Sequence, residues 1–427
     1  MPQALNLQRN SEVFMSTVDL LNGGTAADMT PRNTWKVEVL AGYAASQSSA
    51  TQDITSLESG VTPDRSTQRF NTAINPVEWS FQTYLRPTGV INNDGVTVAG
   101  MERASGNAAP LADWFLWQSL MSNSSWATGA GGTSAMRSAW QNNAVFTLAE
   151  RAATANVVSH KSNYPSASEY QLYMKMDNVI YQVKSASVNE ASIDAAIDGI
   201  ATTSWSGFGT TMTELTGSPR TEACTVFGGV ISAALTATAN SSIDSNTQAR
   251  AYHAWGRYNV NGTTTTSAFI KNRLSSIVLE HTPSGSAKNT YNLAVTGLGF
   301  TYSNALTFLT PEELATLNTP IGQFTGAKTI TGNFTAYLRA GDDDTAQFLK
   351  DIVGDSRVQH SQVANANLRI GGATAPYVAV WMPATQFNFP THAVEDIIGI
   401  SVEFLAQEPT ATKGTGSEIT MFVSSTA

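Results

Sequence analysis

The chain of 427 residues sets 24 Lys and Arg against 33 Asp and Glu, a formal charge of −9, and only 13% of it is charged, about half the usual share for a soluble globular protein. Hydrophobic residues hold an ordinary 42%, so Thr, Ser, Asn, Ala and Gly have replaced charge on the surface, a composition expected where partners cover it. The acidic balance excludes a sequence-independent nucleic-acid binder, which neutralises phosphates with clustered Lys and Arg.

Most of the chain reads as strand. Glu12–Val18 and Trp35–Leu40 are β-branched and aromatic runs with Asn22-Gly23-Gly24 between them to supply a turn, which predicts a hairpin. Trp79 to Arg86 alternates, with Trp79, Phe81, Thr83 and Leu85 on one face and Ser80, Gln82, Tyr84 and Arg86 on the other. The first face is expected to be buried and the second polar. Leu111 to Met121 is the best helix: Pro110 precedes it, and Leu111, Trp114, Phe115, Trp117, Leu120 and Met121 form a wide apolar stripe. Trp114 and Trp117 are read as packing residues, because aromatic side chains at helical spacing beside Phe115 and Leu120 belong to a core more often than to a stacking site. Strands are expected near Tyr170–Met176, Val179–Ala186 and Ile200–Trp205.

The same order then returns. Ser276–Glu280 and Tyr291–Val295 flank a Pro283–Ser286 turn and predict a second hairpin, and Gly332–Arg339 repeats Trp79–Arg86 with Phe334, Tyr337, Leu338 and Arg339 matching Phe81, Tyr84, Leu85 and Arg86. A helix from Thr345 to Val353, with Phe348, Leu349, Ile352 and Val353 apolar, occupies the slot of the first helix, and Val378–Met382 and Gly399–Leu405 read as closing paired strands. Four identities in eight residues prove little alone; their place in two parallel series of elements is the mark of an internal duplication. The reading divides the chain into a first module over 6–216, a Thr-, Ser-, Asn- and Gly-rich linker over 217–268 with a further strand conceivable at Thr225–Ser232, a second module over 269–408, and a loose tail over 409–427 with a short strand at Glu418–Val423.

No residue set carries catalytic, cofactor or metal chemistry. The single Cys224 cannot form an intrachain disulfide, and no Cys/His pairs stand at zinc spacing. His160, His253, His281, His360 and His392 sit in no HExxH or triad-like pairing and are read as solvated or core residues. Asp342–Asp344 lacks the alternating ligands and later Glu of a calcium loop, and is better placed to cap the helix from Thr345. Trp205–Gly209 does not extend to GxGxxG, and neither GxxxxGK[ST] nor GxSxG occurs. The terminus MPQALNLQRN lacks the basic start and apolar core of a secretion signal, and Phe227–Ala239, the longest apolar-leaning run, is short and broken by polar residues. These features imply a soluble chain made in a cytoplasm, and leave a hydrolytic enzyme as a distant possibility.

The ordered segments Asn6–Val18, Arg69–Pro87 and Ile321–Ala327, joined by Val188–Ala191, Thr203–Gly207, Phe269–Leu274 and Gly399–Phe404, resemble the tail tube protein of T-five-type long-tailed bacteriophages over roughly residues 6 to 408. RFN…EWSFxTY is the most specific piece. The resemblance implies a mainly β protein with a few helices: two tandem tube modules, each a β-sandwich or half-barrel with a flanking helix, contributing to a closed inner β-barrel. It further implies three chains per pseudo-hexameric ring, rings stacked into a hollow sheathless conduit, a tape measure protein in the lumen during assembly, terminator and baseplate proteins at the ends, and viral DNA in transit without tight binding. A carboxyl-terminal immunoglobulin-like domain, present in larger members, is expected to be absent. Thr88–Pro110 and Asn123–Asn143 are the loops expected to reach the next ring. A β-rich capsid-decoration protein is the alternative.

Overall fold

The computed structural model describes residues 11–25, 27–29, 34–40, 42–54, 68–87, 97–98, 101–102, 111, 113–121, 127–128, 157–161, 169–176, 179–227, 269–281, 289–311, 318–341, 344–356, 364–372, 376–389, 391–393, 397–408 and 418–424. Its first half holds β1 (Ser11–Ser16), β2 (Thr34–Val37), β3 (Ala44–Ser46), β4 (Ser49–Ile54), β5 (Gln68–Ile74), β6 (Val77–Tyr84), β7 (Thr97–Val98), β8 (Met101–Glu102), helix α1 (Trp114–Met121), β9 (Ala127–Thr128), β10 (Val157–Lys161), β11 (Tyr170–Met176), β12 (Val179–Ala196), β13 (Thr202–Gly209), β14 (Thr211–Glu214) and helix α2 (Gly217–Phe227). Its second half holds β15 (Ser276–His281), β16 (Asn289–Leu293), β17 (Val295–Ser303), β18 (Leu306–Leu309), β19 (Gly322–Thr325), β20 (Thr329–Tyr337), helix α3 (Thr345–Ser356), β21 (Ala364–Gly371), β22 (Tyr377–Phe387), β23 (Thr391–Ala393), β24 (Gly399–Ala406) and β25 (Thr420–Ser424). The class is mainly β, as the sequence implies.

The strands of the first half form two antiparallel ladders that share the long β12. One runs β2–β1–β11–β12–β14, the other β3–β6–β13–β12. A bulge opposite Tyr170–Leu172, where Ser185 takes a positive φ of 48°, lets β12 leave the first ladder and enter the second. The second half pairs its strands in the corresponding order: β16–β15–β21–β22–β25 and β17–β20–β24–β22, with a bulge at the matching place opposite Ala364–Ala366. Hairpins β4–β5 and β18–β19 fall in matching slots between the third and next long strand of each half.

Strand alternation decides which side chains enter the core. In β6 Val77, Trp79, Phe81 and Thr83 are buried and Glu78, Ser80, Gln82 and Tyr84 exposed. Strand Thr329–Tyr337 alternates the same way, burying Ile330, Phe334 and Ala336. One apolar core runs through both halves, and a satellite of Phe14, Leu20, Met29, Tyr173, Ile180, Leu215, Ala223 and Phe227 lies on the outer side of the β1–β11 ladder.

Four expectations need correction. Arg86, placed on the polar face, is buried, because Phe269 and Glu38 cover it. The first helix buries more than the expected stripe: every described side chain of α1 is buried, Leu116 and Ser119 included. Residues Gly217–Phe227 are a helix instead of extended linker, since Phe227 stacks on Phe14 at 4.1 Å and Ala223 is buried with it; residues 228–268 lie outside the described residues. Thr420–Ser424 is the strand foreseen in the tail, yet it is far from loose, being paired with both β22 and β10.

Candidate assembly surface

Pairing between the two halves is continuous. Glu190–Ala196, the end of β12, pairs antiparallel with Gly297–Ser303 of β17, so the ladder runs β3–β6–β13–β12–β17–β20–β24–β23 without interruption. Side chains reinforce the junction. The Thr301 hydroxyl donates to Ser192 Oγ at 3.0 Å, and Asn189 accepts the Leu306 N–H on its side-chain oxygen at 2.8 Å and the Asn304 N–H on its carbonyl at 2.9 Å. Beside it, the segment entering the second half crosses the end of β6: Ile270 accepts the Ala201 N–H at 3.3 Å, and Phe269 meets Tyr84 edge-on at 5.3 Å and lies 5.6 Å from the Arg86 guanidinium.

Among the described residues both ends of that ladder are open. Among the described residues β3 pairs only with β6, and β23 only with β24. Backbone N–H and C=O groups along such edges are templates for another strand. Around the β23 end stand uncovered apolar side chains: Phe389 is 65% exposed, Ile397 64% and Ile398 41%.

The solvent face of the ladder has one sign of charge. Glu78, Glu190, Asp194 and Glu403 stand on it among Ser, Thr, Gly, Asn and Gln and the apolar Tyr84, Phe208, Tyr337 and Leu405, and no Lys or Arg of these eight strands shares it. No two of the four are direct cross-strand partners, which keeps repulsion between them weak.

The residues singled out from the sequence are divided by this architecture. Phe81 and Phe334 are buried on the core face, while Tyr84 and Tyr337 are exposed on the opposite face. Leu85 is fully buried and Leu338 half-buried; Arg86 is buried and Arg339 exposed. Trp117 is buried against Trp205, edge to face at 4.9 Å, and Phe348 of α3 is buried between Tyr291 and Phe387. Trp114 opens α1, with its side chain outside the described residues. Of the loops expected to reach a neighbouring ring, most residues lie outside the described residues; Ala127–Thr128 is tied to β10. Of Asp342–Asp344, only Asp344 is described. The start of α3 is fastened by Thr345, whose hydroxyl accepts the Arg339 N–H at 2.7 Å and donates to the Tyr337 carbonyl at 2.9 Å.

Three features escaped the sequence reading. Glu38 pairs with Arg86 at 2.5 Å beneath Phe269. Asp113, whose carbonyl accepts the first α1 bonds, is enclosed: burial pushes its carboxyl up to about 6 against the lowering pull of the Thr83 hydroxyl, which donates to it at 2.8 Å. Trp205 Nε1 donates in turn to Thr83 Oγ1 at 2.9 Å. Glu12 is displaced the other way: burial raises its carboxyl, but Lys36 and Lys175 on either side outweigh that and hold it below its usual range.

No protein-family profile matches the chain. It is 28% identical over 408 residues to the tail tube protein pb6 of Escherichia phage T5, the alignment covering 94% of this chain and 73% of that protein. The chain resembles a T5-type tail tube protein. The likeness read from the ordered segments is thereby borne out. Among solved structures, a chain of the sixfold-symmetrised cryo-EM baseplate of the anti-feeding prophage aligns at 10% identity with 31% of this chain and 89% of its own, with a TM-score of 0.23. Among the described residues no group of three His, Cys, Asp or Glu is placed to hold a metal ion, and no helix is long and apolar enough to cross a membrane.

Proposed function

We propose that the chain is a structural protein of the virion, the subunit of a bacteriophage tail tube. Three copies form each pseudo-hexameric ring, and the rings stack into a hollow conduit for ejected DNA. The observation that carries the reading is the ladder that joins two similarly paired halves and, among the described residues, stays open at both ends. A head-to-tail contact between such ends propagates until the rotation closes it. The similarity to a tail tube protein supports the same conclusion, and favours a structural role over a catalytic one. The duplicated order of pairings supports two modules per chain, hence six module positions in a ring of three.

The acidic solvent face is the lumen wall in this reading. DNA moving fast through a tube is served by a surface without phosphate contacts, since each Lys or Arg would hold the backbone. The tape measure protein fills the lumen during assembly in the host cytoplasm, terminator and baseplate proteins close the tube ends, and the protein enters no membrane.

Electron microscopy and native mass spectrometry of the concentrated chain test the proposal. Stacked rings with three chains each are expected. Isolated monomers would overturn it in favour of a decoration protein, and six chains per ring would overturn the trimer. A ring reconstruction with a basic lumen would refute the role given to Glu78, Glu190, Asp194 and Glu403.

A further inference from the structure

We infer that Thr391–Ala393 of one copy pairs antiparallel with Ala44–Ser46 of the next, with Thr391 opposite Ser46, His392 opposite Ala45 and Ala393 opposite Ala44. The inference rests on the tube reading and deepens it by naming the interface between copies and its register.

The register is transferred from the junction inside the chain. Phe81 and Phe334 occupy the same place in the FxxYLR strands, so Gln82 corresponds to Thr335 and Glu78 to Thr331. Gln82 lies opposite Ser204, and Thr335 opposite Ser401, which makes Ser204 and Ser401 counterparts. Ser204 lies opposite Ser192, and Ser401 opposite Thr391, so Ser192 and Thr391 are counterparts too. On the other side, Glu78 lies opposite Ser46, and Thr331 opposite Thr301, so Ser46 corresponds to Thr301. Within the chain Ser192 faces Thr301. Between copies, Thr391 then faces Ser46. The hydroxyl pair at the internal junction, bonded at 3.0 Å, becomes another hydroxyl pair, and the two outer bulges do not disturb the transfer because every step crosses a ladder locally in register.

Burial differences between corresponding residues point to the same missing neighbour. At the internal junction Ala201 is fully buried under Ile270, and Arg86 is 7% exposed beneath Phe269. Their counterparts beside β23, Ile398 and Arg339, are exposed, as is Phe389, the residue corresponding to Glu190. Only the Leu-Arg end of the shared FxxYLR sequence differs: Leu85 and Arg86 are buried, Leu338 is half-buried and Arg339 exposed. A second copy carrying its own first-half edge to this place covers it as the second half covers the first.

Cysteine cross-linking tests the register in full-length chain with Cys224→Ser to remove the exposed native thiol. The variants Ser46→Cys/Thr391→Cys and Ala45→Cys/His392→Cys probe adjacent pairs, which alternate between narrow and wide spacing, so one of them suits disulfide geometry. Ser46→Cys/Ala393→Cys is the slipped control. After oxidation during assembly, a denaturing gel is expected to show covalent multimers for an in-register pair at least about tenfold above the control. Tubes that form without an in-register cross-link, or with the slipped pair linking as well, would overturn the register while leaving the tube reading intact. A parent chain that stays monomeric under the microscope overturns both. Independently of disulfide geometry, Ser46→Asp/Thr391→Asp should block assembly without lowering monomer Tm, and Ser46→Asp/Thr391→Arg should restore it; assembly unaffected by the paired carboxylates would also overturn the proposal.

Discussion

At the centre of the first half Trp79 lies opposite Gly207; at the corresponding place in the second half Gly332 lies opposite Phe404. The large residue has moved from one strand to its neighbour, and the glycine has moved with it. Each glycine leaves the space its partner fills. A Cβ on Gly207 would stand 2.1 Å from the Ser187 carbonyl oxygen and 2.2 Å from the Trp79 ring, and one on Gly332 would stand 2.3 Å from the Phe404 ring and 2.7 Å from the Gly299 carbonyl oxygen. What the two halves share is therefore the ladder and the pairing of one large aromatic with one glycine across it, with either strand free to carry the aromatic.

The largest expected effect breaks this complementarity. Gly207→Ala should destabilise the chain by about 3 kcal/mol or more, because a backbone oxygen and a fully enclosed indole both block the new methyl. Gly332→Ala should cost less, since the oxygen it meets is farther away. Urea denaturation of both variants checks the order; equal stabilities to the parent would show that the strands can separate to admit a methyl.

A second contrast lies one turn of the alternation further on. In the first half Thr83, Asp113 and Trp205 form a buried hydrogen-bonded set, where the second half places Ala336 and Val402, 2% and 1% exposed, at the positions of Thr83 and Trp205. The sign of the resulting pH effect follows from burial. Asp113 begins from 3.8 when unfolded and is pushed up to about 6 when folded, so between those values the folded state binds the extra proton. Stability contributed by Asp113 is full below about pH 4 and is lost as the pH rises through about 6, by up to about 3 kcal/mol. Asp113→Asn should flatten that part of the stability profile, read by thermal unfolding from pH 4 to 7. A profile that keeps its slope would place the titration on another group.

The sequence made the repeated order of elements legible because strands with one buried face alternate visibly, and Trp79–Tyr84 and Thr329–Tyr337 both do. It also carried the Gly207/Trp79 and Gly332/Phe404 exchange in plain letters, but that pattern acquires meaning only once the registers are known. Residues such as Asp113 and Glu38 were hidden for a different reason. A single carboxylate in a loop has no periodicity, and its burial depends on Thr83, Trp205 and Arg86, which are distant in sequence. Helix α2 was missed because its own pattern is weakly apolar; its position comes from Phe227 stacking on Phe14 and lying tilted against Tyr173. The open edges β3 and β23, three residues each, are too short to announce themselves by alternation.

The finest comparison is between two arginines that each end an FxxYLR run. Arg86 is held by Glu38 and covered by Phe269, and Arg339 at the corresponding place is exposed. In the isolated chain Arg86→Ala should cost about 1–3 kcal/mol, since it strips a half-buried carboxylate of its partner and removes packing beneath an aromatic ring. Arg339→Ala should change monomer stability by no more than about 0.5 kcal/mol. Assembly is expected to reverse the contrast. If a second copy covers Arg339 as the second half covers Arg86, then Arg339→Ala should raise the concentration needed for tube formation while leaving monomer Tm in place. Light scattering against protein concentration measures that threshold. An unchanged threshold would mean that the bare FxxYLR end stays bare in the assembled tube, and that only the backbone edge joins the copies.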